Sequence, residues 1–283
     1  MKEVNEITVS AHGRLLKMKS LGVAGNVSGG KRGKVTLFTN SSRFRLLQKM
    51  ATVKGKGLQS VFITLTYGQK FPSPKEAKRH LDNFLKRIRR HYALVSGFWR
   101  FEFQQRGAPH FHVILFDLPF IPKAVIKRWW GKVVGHEFWD YTNEKAVPPF
   151  TRIEFLRGYR KATSYVAKYV AKVSPADGGA SGFNIASYLT AEGEFIHPVT
   201  GESDGGIGRW WGVFNADCLP LAELVEIVVN GFDATIIDTF KRAIAALRWR
   251  INAHSRAGFT SFEDNPYTWA DYFEVLVEIA NHD

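Results

Sequence analysis

The sequence predicts a mixed α and β fold, and three stretches carry that prediction. Residues 60–67 (SVFITLTY) are β-branched and aromatic, the composition of a buried strand. Ser73, Pro74 and Glu76 then offer an N-cap, a first-turn proline and a capping-box glutamate, which together open a helix. In residues 98–105 (FWRFEFQQ), Trp99, Phe101 and Phe103 alternate with Arg100, Glu102 and Gln104, the pattern of a strand with one apolar and one polar face. Residues 110–116 (HFHVILF) form a second strand beyond the turn material Arg106-Gly107-Ala108-Pro109.

In chain order, residues 22–34 (GVAGNVSGGKRGK) read as a flexible Gly- and Lys-rich connection, and 35–39 (VTLFT) as a strand. Gly25, Gly30 and Lys31 match the skeleton of a phosphate-binding loop. Arg32 stands where Ser or Thr should bind magnesium, and a strand follows where a helix should, so nucleotide hydrolysis is not supported. The helix opened by Ser73 keeps Ala77, Leu81, Phe84, Leu85, Ile88 and Tyr92 at helical spacing, while Lys75, Lys78, Arg79, Lys86, Arg87, Arg89 and Arg90 crowd its remaining surface. Such a face is either solvated charge or a track for phosphates. A hairpin centred near Gly107 would set Gln104 opposite His110 and Glu102 opposite His112.

Residues 121–135 (IPKAVIKRWWGKVVG) read as a helix whose Trp129 and Trp130 pack a core. Beyond Pro148-Pro149 come a strand-like FTRIEF and a helix through GYRKATSYVAKYVAKV, ended near Ser174-Pro175. Residues 174–208 are a Gly-rich excursion with a short hairpin near Glu194, and GRWWGVF follows. From about residue 219 the pattern is helical, through LPLAELVEIVV, ATIIDTFKRAIAALRWRI and NPYTWADYFEVLVEIA. This divides the chain into residues 1–215 and a helical appendage, 216–283.

Composition narrows the function. The 283 residues are 45 % hydrophobic and 14 % aromatic, too apolar for a disordered chain, and no apolar run reaches the length of a membrane span. The net charge is +13, with a pI of about 9.8. Residues 216–283 hold 5 basic and 11 acidic residues, so the remainder carries +19. That excess favours a polyanionic partner, nucleic acid before a membrane surface. A lone cysteine, Cys218, excludes an internal disulfide and a Cys-rich zinc module, and residues 1–14 hold no secretory apolar region, so a cytoplasmic protein is expected.

Two groups of residues carry chemistry. His110 and His112, at i and i+2 of a strand, point the same way and can share one metal ion, with Glu102 as third ligand and Gln104 able to substitute or support from behind. Such a nitrogen and oxygen set, with open positions, suits Mg²⁺ or Mn²⁺ when a phosphate completes the coordination. On the second helix Tyr165, Lys168, Tyr169 and Lys172 occupy i, i+3, i+4 and i+7, one stripe of two tyrosines and two lysines. Half-buried packing would account for the stripe by itself. Beside a metal site on a basic chain it predicts transesterification of a phosphodiester, because tyrosine, with a pKa near 10, needs a polarised phosphate and a nearby ammonium to attack.

The order of FITLTY (62–67), then E-x-Q-x-R-G-x-P-H-F-H-V (102–113), then YVAKYVAK (165–172) resembles the three motifs of HUH endonucleases, particularly the two-tyrosine rolling-circle initiators among phage and plasmid replication-associated proteins. The likeness covers roughly residues 40–215. It implies an α+β fold of the ferredoxin-like or RRM-like kind, with a central antiparallel sheet, helices on one side, a metal on the open face and the tyrosine helix across it. By the same resemblance His110, His112 and Glu102 hold Mg²⁺ or Mn²⁺, Tyr165 and Tyr169 are paired nucleophiles, and Lys168 and Lys172 are the motif lysines. The implied activity is nicking of single-stranded origin DNA, with a 5′-phosphotyrosyl intermediate, a free 3′ hydroxyl and later rejoining. Lys86, Arg87, Arg89, Arg90 and Arg106 are the expected DNA contacts. A host polymerase and, without a phosphate-binding loop of its own, a host helicase are the expected partners. A transposase or mobilisation relaxase would share this chemistry, and a DNA-binding regulator would use the same residues only for packing.

Overall fold

The structure is a computed structural model, and it describes residues 6–13, 15–21, 35–54, 60–135, 151–156, 183–230, 250–255 and 258–262. Among these, the strands are β1 (Glu6–His12), β2 (Leu15–Leu21), β3 (Ser60–Leu65), β4 (Ser96–Phe103), β5 (Pro109–Phe116), β6 (Thr151–Leu156), β7 (Trp211–Phe214), β8 (Leu224–Asn230), β9 (Arg250–Ser255) and β10 (Gly258–Phe262). The helices are α1 (Asn40–Ala51), α2 (Pro74–His91) and α3 (Lys123–Val134). No helix among the described residues is long and apolar enough to cross a membrane. The chain divides into two compact units. One comprises Met1–Lys31, Arg45–Gly57 and Pro220–Asp283, the other Arg32–Phe44 and Leu58–Leu219.

The first unit holds an antiparallel sheet ordered β8-β1-β2-β10-β9. β8 corrects the helical reading of residues 219–229. It pairs with β1 from Glu6↔Asn230 to His12↔Leu224. A short apolar run fits either period, and Val225, Ile227, Val228 and Val229 are β-branched, which favours the pleated state once a partner strand is present. That partner lies at the other end of the chain, where local sequence cannot signal it. β9 likewise begins within the stretch read as a helix through residue 251. The other predicted tail helices, residues 234–249 and 265–280, lie outside the described residues.

The second unit bears out the α+β expectation. Its sheet is antiparallel throughout, in the order β6-β3-β5-β4-β7. α2 begins where the sequence placed it, with the Ser73 hydroxyl accepting from the Glu76 amide at 3.3 Å. Ala77, Leu81, Phe84, Leu85 and Ile88 are buried as its spacing predicts. α3 buries Ile126, Trp130 and Val134, and the Trp130 ring meets Phe84 of α2 edge-on at 5.6 Å. Burial of that indole is tolerated because its Nε1–H donates to the Thr66 carbonyl at 2.8 Å. The sheet face under these helices is aromatic. Phe101 packs on Phe103 and Trp210, and Phe103 stacks on Phe195 at 4.9 Å.

Two local readings are corrected here. Residues 35–39 form no strand; they lead into α1, where the Thr39 hydroxyl accepts from the Ser42 amide at 3.2 Å, so Thr-x-x-Ser was the unread helix start. The β4–β5 hairpin is centred on Arg106, not Gly107. Gly107 donates to the Gln104 carbonyl and Gln104 to the Ala108 carbonyl, both at 2.8 Å, leaving a three-residue loop closed by Gly107 at φ 83°. A side chain there would be strained, and its Cβ would also stand 2.6 Å from Pro198. The register becomes Glu102↔His110 and Arg100↔His112. A two-residue change preserves side-chain parity, so the predicted residues keep their common face. The short hairpin near Glu194 is present as a single antiparallel bridge, Leu189↔Phe195.

Candidate metal centre

Alternation along β4 and β5 sends Arg100, Glu102, His110 and His112 to one face and Trp99, Phe101, Phe103 and Phe111 to the other. α2 occupies the second of these, since Lys78 Nζ lies 4.7 Å from the centre of the Phe101 ring. The polar four therefore stand on the face away from α2. β3 supports them from the side: Thr64 pairs with His112, and Phe62 stacks on the His112 ring at 5.5 Å. The FITLTY strand thus lies directly beside the HFH strand, and it fixes one imidazole by ring contact.

One ligand atom from each of Glu102, His110 and His112 falls within 4.8 Å of the others, so modest side-chain rotation brings all three to one ion. His112 Nε2 donates to Glu102 Oε1 at 2.6 Å, and His110 Nε2 stands 4.0 Å from the same oxygen. The two imidazoles meet edge to face at 4.6 Å. Burial pushes the Glu102 carboxyl up. The hydrogen bond and charge of His112, with Arg100 and His110, more than offset this and hold its pKa down to about 2. Burial, with the neighbouring His112, lowers His110 to about 3, so its imidazole is neutral at ordinary pH. An ionised carboxylate beside a neutral imidazole is the state a divalent cation requires.

The sequence reading overlooked Arg100. It is 4 % exposed, its Nη2 lies 3.8 Å from Glu102 Oε2, and its guanidinium lies over the Phe38 ring at 4.9 Å. Among the described residues its N–H groups make no hydrogen bond. Strand parity was the signal that could have found it, because Arg100 and Glu102 are two positions apart on β4.

The remaining predicted residues fall in three places. Gln104 closes the hairpin and its Oε1 accepts from Arg106 Nε at 3.2 Å. Arg106 is taken up in holding the loop after β3: it donates to the carbonyls of Tyr67 at 2.9 Å, Gly68 at 2.6 Å and Gln69 at 3.2 Å, and lies over the Phe71 ring. Lys86, Arg87, Arg89 and Arg90 ride on α2, on the sheet's opposite side from the Glu102 cluster, and Lys86 is paired with Asp82 at 2.6 Å. Tyr165, Lys168, Tyr169 and Lys172 lie outside the described residues.

No curated protein and no solved structure matches the chain. Residues 60–174, from β3 through the Tyr and Lys stretch, match the family model of the replication-associated protein ORF2, which bears out the resemblance carried by the motifs and assigns this part of the chain to a replication-associated family.

Proposed function

We propose that the chain is a replication initiator of the HUH kind, which cuts one DNA strand at an origin and rejoins it through a tyrosine. The observation that carries this reading is the Glu102, His110 and His112 cluster, three ligand groups within 4.8 Å on the sheet face turned away from α2. The donor set fits Mg²⁺ or Mn²⁺, and when bound either ion supplies Lewis-acid polarisation of the phosphate. Glu102 is kept ionised by His112 and Arg100, and His110 is kept neutral by burial, so both are ready to ligate without first losing a proton to solvent.

In this reading Tyr165 or Tyr169 supplies the nucleophile. Its Oη attacks the phosphorus, the phenolic proton passes to solvent, and the bond from phosphorus to the 3′ oxygen breaks. The departing oxygen takes up a proton and becomes the free 3′ hydroxyl, while the 5′ side remains as a phosphotyrosyl ester. Lys168 or Lys172 places an ammonium near the developing phenolate, lowering the cost of ionising a group whose pKa is near 10. The ester retains the energy of the broken bond, so a 3′ hydroxyl can reverse the step. Two tyrosines allow one to hold the first end while the other cuts the regenerated origin. The +19 charge over residues 1–215 supplies attraction to the strand.

Origin-containing single-stranded DNA, labelled at its 3′ end and incubated with Mn²⁺, tests this. A covalent adduct on the labelled 5′-phosphate fragment should form and disappear in EDTA. Adduct persisting in a Tyr165→Phe/Tyr169→Phe double variant removes the tyrosines from the mechanism, and cutting without any adduct replaces them with water.

A further inference from the structure

On the α2 side of the same sheet, at its β7 edge, lies a cleft of about 450 Å³ whose walls include Lys78, Lys86, Arg89, Arg209 and Trp99. Arg89 and Arg209 are exposed. The carboxylate in the wall, Asp82, is neutralised by Lys86. Trp99 is half-buried, and one part of its indole rests against Gly212 of β7, where a Cβ would stand 2.7 Å from the ring. Gly212 thus lets the edge strand lie flat on the indole while Trp99 still faces the cleft. Lys78 is the least free of the cations, since its Nζ donates to the Ile207 carbonyl and lies over Phe101. The excess of cations around an aromatic ring is the combination that holds single-stranded nucleic acid, the cations on phosphates and the ring under a base.

We infer that this cleft binds the single-stranded DNA flanking the bond that is cut, a site separate from the Glu102, His110 and His112 cluster; the inference rests on the nicking function proposed above. The cleft volume is that of a small-molecule site and takes a nucleotide or two, whereas a double helix, with a major groove ~12 Å wide, does not enter it. The two sites are joined around the edge of the sheet. β7 lies next to β4, about 5 Å away, and the route over the edge to the opposite face adds roughly 10 Å, so the path is on the order of 20 Å. At about 3.4 Å per nucleotide the flank needed is roughly six nucleotides. The same placement sorts the predicted basic residues: Lys86 and Arg89 line the cleft, and Arg87 and Arg90 do not.

The test is a length series of labelled oligo-dT (dT6, dT12 and dT18), titrated with the full chain in EDTA and followed by fluorescence anisotropy at several salt concentrations. Wild-type affinity should rise at least tenfold from dT6 to dT18. In Arg89→Gln/Arg209→Gln that gain should largely vanish, and the salt slope for dT18 should fall by about 1.4, two contacts at ~0.7 each. Arg87→Gln/Arg90→Gln, on the same helix but outside the cleft, should retain the length gain. Equal losses in both double variants, or a full gain in Arg89→Gln/Arg209→Gln, overturn the cleft assignment. Circular dichroism of each variant excludes a folding defect as the cause. Adduct formation with Mn²⁺ is scored separately: its failure alongside the predicted dT series removes the nicking function and leaves the cleft as a DNA site, while adducts without the length effect do the reverse.

Discussion

Trp99, Phe101, Phe103 and Phe111 stand on one side of the β4–β5 hairpin, and Arg100, Glu102, His110 and His112 stand on the other, from the same stretch of backbone. The first side lies towards α2, and three of its four aromatics are essentially buried, while the second gathers a carboxylate, two imidazoles and a guanidinium within a few ångströms. The period of two is what permits this. Each residue that anchors the sheet to its helices is followed by one whose side chain is free for chemistry, so stability and reactivity are encoded in alternate positions. Variants on the two sides should accordingly fail in different assays.

The largest effect is expected on the polar side. His110→Ala/His112→Ala should abolish Mn²⁺ binding by calorimetry and reduce single-turnover cleavage by roughly 10³-fold or more, several kcal/mol of lost charge stabilisation. Its unfolding in EDTA should shift far less than that of a core variant. If Mn²⁺ binds unchanged, the cluster is not the metal centre.

On the aromatic side, Phe101→Ala should cost about 3–5 kcal/mol in urea unfolding, because a fully buried ring is removed from between Phe103, Phe111 and Trp210. The folded fraction should still bind Mn²⁺ with unchanged stoichiometry. Loss of metal binding in that fraction would show that the two sides are not separable. Gly107→Ala tests the turn that sets their register. Its positive φ and the approach to Pro198 and Phe183 predict a loss of about 1–3 kcal/mol, read by the same unfolding curves.

Smaller effects belong to α2. Ser73→Ala removes the N-cap and should cost about 1 kcal/mol with no change in metal affinity. His80 is buried in this helix, with Tyr67 Oη 3.1 Å from its Nδ1. Burial lowers its pKa below the ordinary 6.5, with Glu76 opposing and Arg79 assisting. The unfolded chain then binds more protons than the folded one below pH 6.5, so stability should decline as pH falls through that value. His80→Gln should flatten this part of the unfolding profile; an unaltered slope assigns it to other groups.

Much of the site was legible locally because strand alternation and helix capping are short-range physics. Glu102, His110 and His112 were placed on one face despite a turn centre misread by one residue, since the resulting two-residue slip in register leaves parity intact. The capping box of α2 and the burial of Trp130 were equally local. Arg106 was not. Its charge suggested DNA, but the carbonyls of Tyr67, Gly68 and Gln69 claim it, and those come from a loop nearly forty residues earlier in the chain.

By itself the sequence determined which side chains share a face, where α2 begins, that the charge lies in residues 1–215, and that three motifs occur in the order of a replication-associated family. Tertiary structure alone decided that residues 224–230 are a strand and not a helix, that Arg100 lies against Glu102, and that the basic side of α2 is turned away from the metal ligands. The physical reason is range. Caps, turns and alternation act over a few residues, whereas strand partners and the face a helix covers depend on segments distant in the chain.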